Sequence, residues 1–423
     1  MLQFLLPLML VTAQAPAEYA VLAQRCRKLL DTSVISFFLP GCIDTVHGGY
    51  YENWKDGKFI HTGEKFLTQQ ARDLWFFSTL ARHNVRHDDA FRAAKAGFDF
   101  LQKHFRDSQH AGYFSKVKDN GEVSDARKHA YLNSFALYAL AAYYQSSQDP
   151  AALKAAQELF AILEAKAYDR QHGGYREFFS RDWMELTDPK EGGYVGPVQT
   201  KTYNTHLHLL EALTALYRVW PDPLVGQRLA ELIQINTLTV RHHELFFNID
   251  QWTNDWKAAT SNGNARRVSY GHDIECAWLV LDACRALKRP MGTLYRWADQ
   301  LVNFSIDHGY DRTCGGFYYA GSERQPAFDT KKEWWVQAEA LVSMMEMHRI
   351  TGGKEYMQLF QQTLDFIENH HLAPGGGWYA TLQADGKVIS DNRATMWQGP
   401  YHTGRALLYS ALMLEELAKG KTP

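Results

Sequence analysis

The sequence predicts an all-α fold, an (α/α)6 barrel with short β-hairpin turns between its helices. Three observations predict it. A Gly-aromatic phrase recurs, as Gly48-Gly49-Tyr50-Tyr51, Gly112-Tyr113-Phe114, Gly173-Gly174-Tyr175, Gly315-Gly316-Phe317-Tyr318 and Gly376-Gly377-Trp378-Tyr379. Its spacing is roughly 60 to 70 residues with one double gap, the mark of a repeat architecture. Between copies lie pairs of apolar stripes of helical period. The last stripe, with Leu407, Leu408, Leu412 and Leu414, is as apolar as the interior ones. That favours a closed ring over an open solenoid, whose ends would carry polar caps.

Taken in order, twelve helices are expected to begin near residues 18, 70, 88, 130, 150, 202, 223, 272, 291, 333, 353 and 403. The second carries the apolar run Leu74-Trp75-Phe76-Phe77. The fifth starts at Asp149-Pro150, with Asp as N-cap and Pro at the first position, and continues as the stripe Ala152, Ala156, Leu159 and Leu163. Leu245-Phe246-Phe247 falls in the double gap and is read as a degenerate sixth turn. The eighth helix holds Cys276 and Cys284, about 12 Å apart along its axis and too far for a disulfide. Thr351-Gly352-Gly353 separates the tenth from the eleventh. Asp44, Asp107, Asp169 and Asp311 recur just upstream of four turns and are read as structural. No Pro/Ser linker divides the chain, so residues 16–423 are expected to form one domain.

Composition narrows the function. The 423 residues carry 45 basic and 47 acidic side chains with no basic run, which argues against nucleic acid or an anionic membrane surface as partner. Five Cys show no CxxC or Cys/His metal pattern. His206 and His208 alternate on a helix and cannot share one ion, so no metal site is expected. Twelve Trp, 22 Tyr and 23 Phe suit sugar stacking, and equally suit a large helical core. Leu2 to Val11 is a short apolar run followed by Ala13-Gln14-Ala15, resembling a signal peptide over residues 1–15, though no Lys or Arg precedes the run. It is too short to span a bilayer. With a signal peptide the chain would be secreted or periplasmic; without one, cytoplasmic.

The even-numbered helices share polar and aromatic residues at their starts. These are Gln70 and Arg72; Tyr131 and Asn133; Asn204, His206 and His208; His272 and Glu275; Trp334, Trp335 and Gln337; and Trp397, Tyr401, His402 and Arg405. If these helices form the inner ring, six starts converge at one end of the barrel. Helix N-termini carry free N–H groups and partial positive charge, which suit an anionic intermediate. Each residue also has a core reading. Asn204 and His208 share a helix face, His272 and Glu275 could pair within their helix, one ring of Trp334-Trp335 is expected in the core, and Glu339 and Glu346 are expected to face solvent or pair locally.

The segment Lys201 to Ala212, with Asn204-Thr205-His206-Leu207-His208, resembles the N-acylglucosamine 2-epimerase family on its cellobiose 2-epimerase branch. So do Gly271-His272-Asp273-Ile274-Glu275, Glu333 to Glu339, Trp397 to His402, and Lys65 to Trp75. The resemblance runs from about Glu18 to the last helix. It implies His272 and His402 as general acid/base pair, and His208 as a third histidine that assists ring opening. It implies Arg72, Tyr131 and Asn204 as substrate contacts and Glu275 as the carboxyl that orients and tunes the histidine. Trp335 and Trp397 would be aromatic walls. Gln398-Gly399 replaces an expected Lys-Cys and Asn133 an expected Gln, differences that bear on the substrate. The implied chemistry needs no cofactor: a ring-opened sugar loses its C2 proton to an imidazole near neutral pH, and the cis-enediolate is reprotonated from the other face. No nicotinamide or phosphate-binding motif is visible.

The expected partner is a small-molecule reducing sugar, led by β-1,4 disaccharides of cellobiose or mannobiose type, for a monomer or homodimer. Monosaccharide isomerisation or N-acylglucosamine epimerisation stands behind. A glycoside hydrolase on the same barrel would need two carboxyls flanking a bond. A non-catalytic carbohydrate-binding module would have no use for three histidines at helix starts.

Overall fold

The structure, a computed structural model, describes residues 16–259, 266–323, 325 and 327–420. The expected signal segment, residues 1–15, lies outside them. Twelve long helices follow in order: α1 Pro16–Leu29, α2 Leu67–Arg82, α3 His87–Phe100, α4 Ala130–Ser147, α5 Pro150–Lys166, α6 Tyr203–Val219, α7 Pro223–Gln234, α8 Tyr270–Ala286, α9 Gly292–Gly309, α10 Trp334–Thr351, α11 Lys354–Phe366 and α12 Pro400–Ala418. Every start lies within three residues of the expected one. Caps explain several: Asp149 and Asp222 each accept a backbone N–H ahead of a Pro at the first helical position. The outer helices α1, α3, α7 and α11 run on into π-helical turns, at residues 30–35, 101–105, 235–239 and 367–371.

Helices α2, α4, α6, α8, α10 and α12 form an inner ring. Each packs on the next, and α12 returns to α2, so the array is closed. Helix α1 lies against α12 on the outside. Burial follows from this position. An inner helix has neighbours on both sides, an outer helix behind it and the barrel axis in front. Every residue of α2 from Leu67 to Ala81 is buried, and every residue of α4 from Ala130 to Tyr143. An outer helix such as α7 buries one face, with Val225, Leu229, Leu232 and Ile233.

Short antiparallel ladders join successive repeats. The strand entering an inner helix pairs with the strand after the following turn: Glu64–Phe66 with Lys116–Lys118, Lys128–His129 with Phe178–Phe179, Thr200–Thr202 with Gln251–Thr253, Arg267–Ser269 with Ala320–Ser322, and Lys332–Glu333 with Thr381–Leu382.

The recurring aspartates are structural. Asp44 Oδ1 accepts the N–H groups of Val46 (2.9 Å) and His47 (3.0 Å), and its Oδ2 takes Lys65 Nζ at 2.7 Å. Lys128–Asp107, Lys201–Asp169 and Lys332–Asp311 repeat that pair at 3.1, 2.9 and 2.8 Å, each lysine two residues before an inner helix. The stretch around Leu245 is indeed the sixth turn. His242 there does the aspartate's work, accepting from the N–H groups of Glu244 (3.2 Å) and Leu245 (3.1 Å). None of residues 242 to 247 takes a positive φ, which is why this copy does without glycine.

Candidate active site

The sixth residues of the six inner helices are Arg72, Phe135, His208, Glu275, Glu339 and Arg405. They meet around the barrel axis. The Arg72 guanidinium lies 4.3 Å from the Phe135 ring centre, and Phe135 lies 4.7 Å from His208. Arg405 Nη2 donates to Glu275 Oε1 at 2.6 Å and to Glu339 Oε1 at 2.7 Å. Its Nη1 bonds Glu211 and Tyr401.

Above this layer, where the inner helices begin, a cavity of about 370 Å³ opens. Arg72, Tyr131, Asn204, His208, His272, Trp335, Trp397 and His402 line it, with Tyr194, Val195, Tyr319, Glu333 and Trp334. Eight of the nine expected site residues thus share one cavity, although they come from six helices or the segments just before them. A larger cleft of about 580 Å³ lies between the second turn and α5, but its charged groups are already paired, Arg106 with Glu158 and Asp107 with Lys128.

Each histidine is held through Nδ1. His402 Nδ1 donates to Glu339 Oε1 at 2.7 Å, and Glu339 is otherwise surrounded by donors, Arg405 and Trp278 Nε1 (3.1 Å). His208 Nδ1 donates to Glu211 Oε2 at 3.0 Å, and Tyr401 Oη donates to both oxygens of that carboxyl at 2.7 Å. His272 Nδ1 lies 3.0 Å from Ser269 Oγ. A proton on Nδ1 leaves Nε2 with a free lone pair, as a general base requires.

Burial pushes all three imidazoles below the ordinary histidine range. For His272 the other histidines and Arg267 add to this; for His402 Arg72 and Arg405 do. The Trp335 ring lies 4.8 Å from His272 and 5.8 Å from His402, so one tryptophan touches both imidazoles. Gly271 makes room for it: a Cβ there would sit 2.6 Å from the indole. Arg72 Nη2 donates to Tyr131 Oη at 3.1 Å and Nη1 to the Trp397 carbonyl at 3.3 Å, which ties α2, α4 and the segment before α12 together.

Four expectations are corrected. Glu275 neither lines the cavity nor touches His272. One helical turn below the cavity mouth it pairs with Arg405, and burial beside Glu339 pushes its carboxyl well above the usual range. Glu339 is fully buried and orients His402, and Glu346 is buried against Arg285. Trp334 and Trp335 both reach the cavity. Asn133 is a turn residue: its Oδ1 accepts the Tyr113 N–H at 2.9 Å, as Gln70 accepts that of Tyr50 (2.9 Å), His206 that of Tyr175 (2.9 Å) and Gln337 that of Phe317 (2.7 Å). The polar residues at the inner-helix starts therefore divide into turn clamps and cavity residues. Glu211 lies three residues after His208 on one helix, and that spacing is a signal the sequence offers. The link from Glu339 to His402 spans 63 residues and offers none.

Comparison with known proteins agrees with this geometry. The model of the N-acylglucosamine 2-epimerase family matches residues 48–406. A cellobiose 2-epimerase of Bacteroides fragilis is 31% identical over 394 residues, covering 91% of this chain and 97% of the relative. A D-mannose isomerase of Marinomonas mediterranea is 24% identical over 383 residues, 87% of this chain and 92% of the relative. The structure of the cellobiose 2-epimerase from Bacillus thermoamylovorans superposes with a TM-score of 0.85 at 28% identity, over 93% of this chain and 99% of that one. Over nearly its whole length, then, the chain is an isomerase-type enzyme, and it belongs to the N-acylglucosamine 2-epimerase family.

Proposed function

We propose that the cavity epimerises carbon 2 of the reducing-end sugar of a β-1,4-linked disaccharide of cellobiose or mannobiose type, with His272 and His402 as the acid/base pair. The observation that carries this reading is that the two imidazoles, borne on separate helices, open onto one cavity with Arg72, Asn204 and three tryptophans. A cavity of about 370 Å³ is of small-molecule size. Cellobiose 2-epimerases among the relatives favour a disaccharide.

In this scheme His208 assists ring opening, which gives the aldehyde and makes the C2 proton acidic. One imidazole takes that proton on Nε2; the bonding electrons form C1=C2 and the charge passes to O1. Arg72 and the N–H groups at the inner-helix starts stabilise the enediolate. Rotation about C2–C3 presents the opposite face. The other imidazole, protonated, gives its proton to C2, the carbonyl re-forms and the ring closes. The two histidines exchange protonation states in each turnover. Burial disfavours the charged form of each imidazole, and at His272 the charge of His208, Arg267 and His402 adds to this.

The D-mannose isomerase relatives favour a second reading, in which the same enediolate is protonated at C1 to give a ketose. Incubation with cellobiose, mannobiose, mannose, glucose and N-acetylglucosamine in D2O separates the two. Epimerisation places deuterium at C2 of the epimer, isomerisation places it at C1 of a ketose, and no exchange with any of these sugars rejects both.

A further inference from the structure

We propose that Asp44, His47 and His61, whose donor atoms all lie within 4.8 Å of one another, form a binding site for one Zn²⁺ ion at the first Gly-aromatic turn, with Asp119 beside His61 as an outer carboxyl. None of the four lines the catalytic cavity. His47 Nδ1 lies 3.5 Å and His61 Nδ1 3.7 Å from Asp44 Oδ2, and His61 Nδ1 lies 3.5 Å from Asp119 Oδ1. These separations are long for hydrogen bonds. The two to Asp44 lie a few tenths of an ångström above the edge of a tetrahedron with metal–ligand bonds of about 2.0–2.1 Å, whose corners lie about 3.3–3.4 Å apart. Two imidazole nitrogens and one carboxylate oxygen are a zinc-type donor set, with the fourth position left to water.

The surroundings fit a site of this kind. Asp119 Oδ2 accepts the Gly63 N–H at 2.9 Å, which orients its other oxygen, and Asp44 Oδ1 is fixed by two backbone N–H groups. The two imidazole rings lie 4.9 Å apart, and Tyr51 packs 4.6 Å from His61. Both histidine side chains are about one third exposed, at 34% and 33%, so an ion enters from solvent.

Lys65 already occupies one lone pair of Asp44 Oδ2, at 2.7 Å. Two of the three sister repeats show that this oxygen accommodates a second cationic partner. Asp107 Oδ2 takes both Lys128 (3.1 Å) and Arg181 (3.0 Å), and Asp169 Oδ2 has Lys201 at 2.9 Å and Arg176 at 3.7 Å. Among the described residues no arginine arrives at Asp44. Two imidazoles converge there instead, where the turns of Asp107 and Asp169 each have one guanidinium.

The test is calorimetric titration of zinc sulfate into the full, untagged, chelator-treated chain, beside the double variant His47→Ala/His61→Ala and the single variant Asp119→Asn. Asp44 is left in place because it holds the turn. One equivalent of zinc is expected to bind the parent chain and raise its Tm by about 2–4 °C. The double variant, shown folded by its circular dichroism and unchanged zinc-free Tm, should lose that equivalent. Its affinity should drop at least about a hundredfold, given that removing even an outer-shell partner costs about 10–100-fold. Asp119→Asn should weaken binding by about tenfold or more. Zinc bound equally by the parent and the double variant, or no binding to the parent at micromolar zinc, overturns the site.

Discussion

Arg405 is the side chain on which the electrostatics of the site turn. One buried guanidinium bonds Glu211, Glu275 and Glu339, and two of these carboxyls hold the Nδ1 atoms of His208 and His402. Without it three buried carboxyls would crowd one another. The histidines do the chemistry in the proposed scheme. His272→Ala and His402→Ala are each expected to lower kcat by about 10²–10⁴-fold while the Tm stays close to that of the parent. Turnover like the parent's in either variant, measured by C2 exchange, would end the two-histidine scheme. Trp335 and Trp397 answer a different question. If they wall the cavity, Trp335→Ala and Trp397→Ala raise KM with a near-normal Tm. If they act mainly as core, the loss is about 3–5 kcal/mol of stability with KM unchanged in the folded fraction.

At the scale of elements, the repeat is a clamp as much as a helix pair. The fourth residue of α2, α4, α6 and α10 receives the turn's backbone N–H, and Asn133, His206 and Gln337 also donate to the carbonyl one turn back, at residues 129, 202 and 333. His206 is the odd member, an imidazole doing an amide's work. His206→Gln should therefore fold nearly as well as the parent, since Gln337 makes the same two bonds, whereas His206→Ala leaves the Tyr175 N–H unpaired and costs about 1–3 kcal/mol. The pH dependence has a definite sign. Burial depresses the folded-state value of His206 to about 3. An unfolded histidine takes up its proton near pH 6.5, so between these limits the unfolded state binds more protons and stability falls with acid. His206 alone contributes a loss of about 2 kcal/mol between pH 8 and pH 5. His206→Gln removes that part. Glu52 and Glu177, each pushed up to about 8, act in the opposite sense but equally in both proteins. The Tm difference between pH 8 and pH 5 should accordingly be smaller in His206→Gln; an unchanged difference would show that His206 does not stay neutral in the fold.

At the scale of the whole molecule, closure depends on α1. Ser33 accepts the Gly377 N–H through its carbonyl (2.8 Å) and the Trp378 indole N–H through its hydroxyl (3.1 Å), while Phe37 packs under Gly376 and Gly377. The first helix thus holds the last turn as well as α12. Deleting residues 16–38 strips Leu22, Cys26, Leu29, Leu30, Val34, Ile35, Phe37 and Phe38 from the core. At about 1.5–3 kcal/mol for each buried side chain, the loss is as large as or larger than the 5–15 kcal/mol that typically holds a domain together. The truncated chain is expected to show no cooperative thermal transition; a melt as sharp and as high as that of the full chain would show that the ring closes without α1.

The sequence by itself determined the repeat, the helix starts and the set of polar residues at the inner-helix starts from which the cavity is drawn. Turn glycines, Asp-Pro caps and apolar periodicity are local signals, and Asn204, His208, His272 and His402 stand at helix starts where they can be read one repeat at a time. Tertiary structure alone decided which polar residues serve the turns and which serve the cavity. Gln70 and Arg72 are two residues apart on one helix, yet one clamps Tyr50 and the other faces the axis. It also decided the partners of the histidines. His402 meets Glu339 across the ring, and Glu275 turns away from nearby His272 toward Arg405, 130 residues on. A buried charge settles where its opposite lies in space, and in a closed ring the inner helices that are neighbours are set by closure as well as by order along the chain.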